Sequence, residues 1–191
     1  MVTAAPSRWN VANAVTLARI ALVPFFVVAL LADGGDSVAW RLTATGIFLL
    51  AAVTDRLDGY LARRDNLVTD LGKLLDPIAD KLLIGSGLIG LSVLGELSWW
   101  VTVVILAREL GITAMRFMVL RYAVMPASRG GKLKTVLQVV AIALYLLPLD
   151  RLPSFIGVLA AVAMGAAVAV TLVTGVDYVR QAVRLRHTAQ T

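Results

Sequence analysis

The chain has 191 residues, 59% of them hydrophobic and 16% charged, and its mean hydropathy of +0.84 lies far above what a water-soluble domain tolerates. It has no cysteine and one histidine, which excludes a disulfide framework, a thiolate metal site and an imidazole cage, so any metal must be a hard cation held by oxygen. The net charge of +6 is modest and its basic residues are dispersed between apolar runs, a pattern that suits anionic lipid and argues against nucleic acid as a partner.

In chain order, "SRWNVANA" within the first residues reads as a short amphipathic helix on the inner membrane surface, with Trp9 as its anchor. The first apolar window, 13–32, is too long for a signal peptide and is followed by further spans, so it is read as retained. Further windows at 38–62, 71–94, 99–122, 133–149 and 153–179 approach the roughly 20 residues needed to cross ~30 Å of hydrocarbon. Turn-rich strings separate them: "DGGDS" at 33–37, "RRDN" at 63–66, "GE" at 95–96, "MPASRGG" at 125–131 and "PLDRLP" at 148–153. The expectation is one domain over 1–191, an all-α integral membrane protein of six transmembrane helices. Residues 1–12 form its interfacial segment and 180–191 a cytoplasmic tail. Gly157, Ala161 and Gly165, four residues apart in the last span, are expected to be a close-packing stripe within the chain.

Lys and Arg accumulate on the cytoplasmic side of membrane proteins. One set of connections holds Arg63, Arg64, Lys73, Arg121, Arg129, Lys132 and Lys134, with Arg8 and Arg180 at the two ends; the other holds only Arg41 and Arg151, beside Asp33, Asp36, Glu96 and Asp150. Both termini are therefore expected in the cytosol, and Trp99 and Trp100 at the outer interface.

Ionisable residues inside or beside spans are costly and need partners. They are Arg19, Asp55, Arg56, Asp58, Asp76, Asp80, Lys81, Arg108, Glu109 and Arg116. Helical spacing puts Asp55, Asp58, Gly59 and Ala62 on one stripe of the second span, and Gly72, Asp76 and Asp80 on one stripe of the third. Each helix is expected to turn two carboxylates and a glycine toward the other. Carboxylates so crowded need a compensating charge, and interfacial salt bridges or a bound divalent cation such as Mg²⁺ or Mn²⁺ would supply it.

The string Asp55-x-x-Asp58-Gly59-x-x-Ala62-Arg63, then eight residues, Gly72-x-x-x-Asp76-x-x-x-Asp80 resembles the full signature of the CDP-alcohol phosphotransferase family. The resemblance implies that family's six-helix fold and a pair of divalent cations, Mg²⁺ or Mn²⁺, on Asp55, Asp58 and Asp76. Asp80 would join that metal-binding set and act as general base. Asp58, Gly59, Ala62, Arg63 and Gly72 would lie near the nucleotide of a CDP-activated lipid. Asn13 and Thr16 would lie near it too, while Arg19 braces the first helix or touches the nucleotide.

"NAVTLARIALVPFF", "ILAREL" and "GGKLKTVLQ" further resemble the phosphatidylglycerophosphate synthases, which implies CDP-diacylglycerol and glycerol 3-phosphate as substrates. It also implies a bacterial cytoplasmic membrane with the site on the cytosolic side, and a homodimer. A phosphomonoester acceptor carries about two negative charges, and Arg108, Arg116, Lys132 and Lys134 are the cations expected to hold it. Glu109 is expected to orient an arginine rather than bind metal. Two other readings stand beside this one: a relative of the phosphatidylinositol phosphate synthase or cardiolipin synthase type, and a cation-coupled transporter. Acids gathered toward one side instead of the midplane weigh against the transporter.

Overall fold

The computed structural model describes residues 11–64, 69–119 and 129–188, and side chains over 13–55, 69, 72, 75–115 and 133–180. These residues form six α-helices: α1 Val11–Leu31, α2 Val38–Arg64, α3 Asp70–Val93, α4 Trp99–Val119, α5 Arg129–Leu146 and α6 Ser154–Thr188. The six expected spans correspond to these helices one for one, and the second half of "RRDN" lies outside the described residues. The interfacial helix expected in 1–12 falls almost wholly outside the described residues, and "MPASRGG" lies largely outside them.

Local chemistry sets the helix ends. Between α1 and α2 the backbone turns through Asp33, Gly34 and Gly35 at φ 54°, 63° and 87°, a region that favours glycine. A Cβ at Gly35 would also come 2.9 Å from Leu94. α3 begins on Thr69, whose hydroxyl accepts from the Gly72 amide at 3.1 Å, an N-cap. It ends at Gly95, φ 76°, with Glu96 N donating to Leu91 O at 3.0 Å and Gly95 N to Ser92 O at 3.1 Å, so the last carbonyls are satisfied before the chain reverses.

The outer wall is apolar as well as the core, unlike that of a water-soluble bundle, and several polar side chains are buried. Arg19, Thr102 and Thr171 are among the most deeply buried side chains, alongside Phe26, Phe48 and Ile142. Phe25, Val28, Val158 and Val162, by contrast, are 66%, 67%, 63% and 64% exposed. Such an outer wall is stable against acyl chains and unstable against water. By length and apolar composition alone, three stretches among the described residues qualify as spans, Asn13–Gly35, Val38–Asp55 and Ser154–Arg180. α3 and α4 have 24 and 21 residues, about 36 and 31 Å at 1.5 Å per residue, long enough to span but interrupted by inward-facing charge. α5 has 18 residues, or about 27 Å, and begins and ends a few residues earlier than the expected window.

Packing gives α1 a central place and leaves one expected contact unmade. Among the described residues α1 packs broadly against both α2 and α3; of the α2 stripe, the side chains of Asp58, Gly59 and Ala62 lie outside the described ones. The Gly157–Ala161–Gly165 stripe does not close-pack within the chain: nothing lies within 4 Å of a Cβ built at Gly157 or Gly165, and Ala161 is exposed. Close helix contacts occur instead at Gly90, where a Cβ would fall 2.5 Å from Leu30, and at Gly87, 3.0 Å from Ile142.

One end of the bundle is fastened by a single guanidinium. Arg41, 2% exposed, donates to both oxygens of Glu96 at 2.5 and 2.7 Å and to the carbonyls of Tyr145, Leu146 and Leu147 at 2.7, 3.0 and 3.1 Å. The start of α2, the α3–α4 turn and the C-terminus of α5 are thereby tied together. The acidic motif lies toward the opposite end.

Candidate active site

The acidic half of the site is organised by α1. Asn13, Thr16 and Arg19 project one polar stripe inward and are 3%, 2% and 2% exposed. Thr16 Oγ1 donates to Asp76 Oδ1 at 2.9 Å, and the Arg19 guanidinium pairs with Asp55. Asn13 Nδ2 donates to the capping Thr69 Oγ1 at 2.8 Å. A Cβ at Gly72 would sit 2.7 Å from Asn13 Oδ1, so the signature glycine is what lets α1 approach the first turn of α3. Asn13 and Thr16, expected beside the nucleotide, thus hold the cap of α3 and one carboxylate of the acidic set.

The basic half comes from α4 and α5. Glu109 Oε1 accepts from Lys134 Nζ and, at 3.1 Å, from Arg108 Nη1. Arg108 continues into α6: Nε donates to Thr171 O at 3.2 Å, Nη2 to Thr174 Oγ1 at 2.8 Å, and Cζ lies 5.7 Å from the Tyr178 ring centre. Gln138 Nε2 adds a bond to Thr171 Oγ1 at 3.2 Å. The expectation that Glu109 orients an arginine holds, and it engages a lysine as well.

Asp80 joins the two halves. It lies on α3 one turn beyond Asp76 and next to Lys81. It also opens, with Glu109 and Gln138, into a cavity of about 480 Å³ whose walls include Ile89, Leu106 and Leu110. A charged head and an apolar flank are the two requirements of a site for a lipid with an ionic headgroup.

Of the other expected site residues, Asp58, Gly59, Ala62, Arg63, Arg116 and Lys132 lie on α2, α4 and α5, but their side chains are outside the described ones. The carboxylate donors fit a hard dication, and Thr16 and Arg19 hold Asp76 and Asp55 as outer-shell partners hold metal-ligating carboxylates. Among the described residues no three acids converge closely enough to enclose an ion; Asp58 is the further acid of the set. Sequence reasoning missed the contribution of α6. Thr171, Thr174 and Tyr178, at i, i+3 and i+7 in an otherwise apolar helix, carried a legible signal of an inward polar stripe.

A family model for CDP-alcohol phosphatidyltransferase matches residues 9–173. The chain belongs to the CDP-alcohol phosphatidyltransferase family. It is 54% identical over 175 residues to the probable phosphatidylglycerophosphate synthase of Mycobacterium tuberculosis (strain ATCC 25618 / H37Rv), covering 92% of this chain and 82% of that protein. It is 39% identical over 183 residues to the CDP-diacylglycerol–glycerol-3-phosphate 3-phosphatidyltransferase of Bacillus subtilis (strain 168), covering 89% and 93%. It is 42% identical over 139 residues to the Rickettsia felis protein of the same name, covering 72% and 75%. Family membership makes the chain a membrane-embedded phosphatidyltransferase and removes the transporter reading.

Proposed function

We propose that the protein transfers the phosphatidyl group of CDP-diacylglycerol to glycerol 3-phosphate, releasing CMP, at the cytosolic face of a bacterial membrane. The observation that carries this reading is the cavity that Asp80 of α3 shares with Glu109, the acid that holds the buried Lys134 of α5, beside an acidic half-site organised by α1. The names of the relatives at 54% and 39% identity support the choice of acceptor.

In this reading the acceptor phosphate is held by Lys134, together with Lys132 and Arg116, and Arg108 supports them from behind. Asp80 takes the proton of the acceptor hydroxyl as that oxygen attacks the β-phosphorus. A new P–O bond forms, the bond from β-phosphorus to the bridging oxygen breaks, and CMP departs with the electron pair. Asp55, Asp58 and Asp76 would hold divalent cations, Mg²⁺ or Mn²⁺, which supply neutralisation of the pyrophosphate charge. Gly59, Ala62 and Arg63 follow along α2 on the nucleotide side. The basic flanks Arg63 and Lys134 support a cytosolic location for this end, and the resemblance to the family supports a homodimer.

The test is CMP release by the purified protein supplied with CDP-diacylglycerol, Mg²⁺ and, in turn, glycerol 3-phosphate, inositol phosphate, inositol and phosphatidylglycerol. Turnover is expected with glycerol 3-phosphate alone; turnover with inositol phosphate and none with glycerol 3-phosphate overturns the assignment. Asp80→Asn is expected to lower kcat by about 10²–10⁴-fold, the usual contribution of a general base, while CDP-lipid binding persists. Loss of CDP-lipid binding in that variant would instead make Asp80 a binding residue.

A further inference from the structure

Two cations, Arg108 and Lys134, are buried next to one acid, Glu109: their side chains are 11%, 8% and 13% exposed. The acid is shared, since one oxygen, Oε1, takes a donor from each cation. The cations are otherwise unlike. Arg108 is committed to α6 through Thr171, Thr174 and the Tyr178 ring, and its stem packs against Gly175, where an added Cβ would lie 3.3 Å from Arg108 Cγ. Lys134 has a flexible four-carbon stem, and the acid that holds it lines one cavity with Asp80. An ammonium has three donors, and Glu109 takes one of them.

We infer that Glu109 is a positioning residue of the acceptor half-site: it holds the Lys134 ammonium beside Asp80 and keeps Arg108 fastened to α6, so that one buried cation serves the incoming phosphate and the other serves the fold. This rests on the acceptor assignment made above. A carboxylate repels a phosphate dianion, so Glu109 acts through Lys134. Without it, two like charges in a mostly dry region repel, and the flexible lysine is the one that moves. With it the trio carries a net single positive charge, suited to a phosphomonoester of about two negative charges.

The experiment is a double-substitution cycle on the full-length protein in detergent, with initial rates measured against glycerol 3-phosphate and against CDP-diacylglycerol. Glu109→Gln is expected to raise the glycerol 3-phosphate KM about tenfold, the scale of one charged hydrogen bond, with the CDP-diacylglycerol KM within about twofold of wild type. Glu109→Asp should recover part of the loss. In a Lys134→Met background the same Glu109→Gln change should add less than about twofold. An unchanged or lowered acceptor KM in Glu109→Gln overturns the inference, as does an undiminished effect on top of Lys134→Met. A fall in melting temperature with both KM values unchanged overturns it too, because that is the mark of a structural acid only. Should wild type turn over inositol phosphate and not glycerol 3-phosphate, the acceptor assignment fails by itself. The KM ratio for the phosphomonoester it does accept then decides the role of Glu109 in the same way.

Discussion

Thr16→Val removes one hydroxyl and keeps the side chain's shape, so it reports on what that hydroxyl holds. Thr16 is buried and its Oγ1 donates to Asp76 Oδ1 at 2.9 Å. A hydrogen bond to a charged group contributes about 1.5–3 kcal/mol. Asp76 is itself exposed, so water partly replaces the lost donor, and the low end, about 1.5 kcal/mol, applies. That corresponds to about tenfold weaker divalent-cation binding, within the range seen when outer-shell partners of metal ligands are removed. The assay is Mn²⁺ titration of the purified protein followed by electron paramagnetic resonance, alongside the Mg²⁺ dependence of CMP release. Thr16→Ser should restore most of the affinity. Unchanged Mn²⁺ binding combined with a raised CDP-diacylglycerol KM would refute the reasoning and return Thr16 to the nucleotide.

Gly72→Ala is expected to reduce activity severalfold, because its Cβ would sit 2.7 Å from Asn13 Oδ1 and push that amide off the Thr69 cap, a contact of about 1 kcal/mol. Adding Asn13→Ala should recover part of the activity by removing the clash; no recovery would mean that Gly72 makes room for ligand instead. Arg41→Ala strands a carboxylate and three carbonyls at the far end of the bundle. Breaking a buried pair costs about 3–5 kcal/mol, and since the Glu96 side chain is 33% exposed about 2–3 kcal/mol is expected here. A lower melting temperature in detergent with substrate KM values unchanged below it is the expected result, and an unaltered melting temperature would contradict it.

The helices were legible because polar punctuation in so apolar a chain can hardly occur except at span ends, and because the spacing of Asp55, Asp76 and Asp80 marks faces directly. Periodicity reports which way a residue faces and is silent about what it meets. Gly72 was placed on the stripe with Asp76, and among the described residues its neighbour across the bundle is Asn13 of α1. Arg108 was rightly singled out as an arginine too costly to be idle, but its partners Thr171 and Thr174, more than 60 residues away, lie on a helix whose polar stripe is diluted by valine and leucine. Arg41 and Glu96 read as markers of the outer side, and nothing local to either shows that they form one clasp. Gly157, Ala161 and Gly165 have the spacing of a packing motif, but spacing alone does not supply a neighbour.

The apolar wall has a consequence for how this chain tolerates change. Lipid tails compete evenly with an aliphatic side chain, so association of the helices leans on close backbone approach and on buried polar partners. Positions on the perimeter such as Val28, Val158 and Val162 should accept exchange among leucine, isoleucine and phenylalanine almost silently. Arg19, Arg41, Thr102 and Thr171, hidden beside the buried leucines, should be positions at which a single replacement is felt. A saturation scan of this protein would then reject charge at the perimeter, where a cytosolic helical bundle welcomes it.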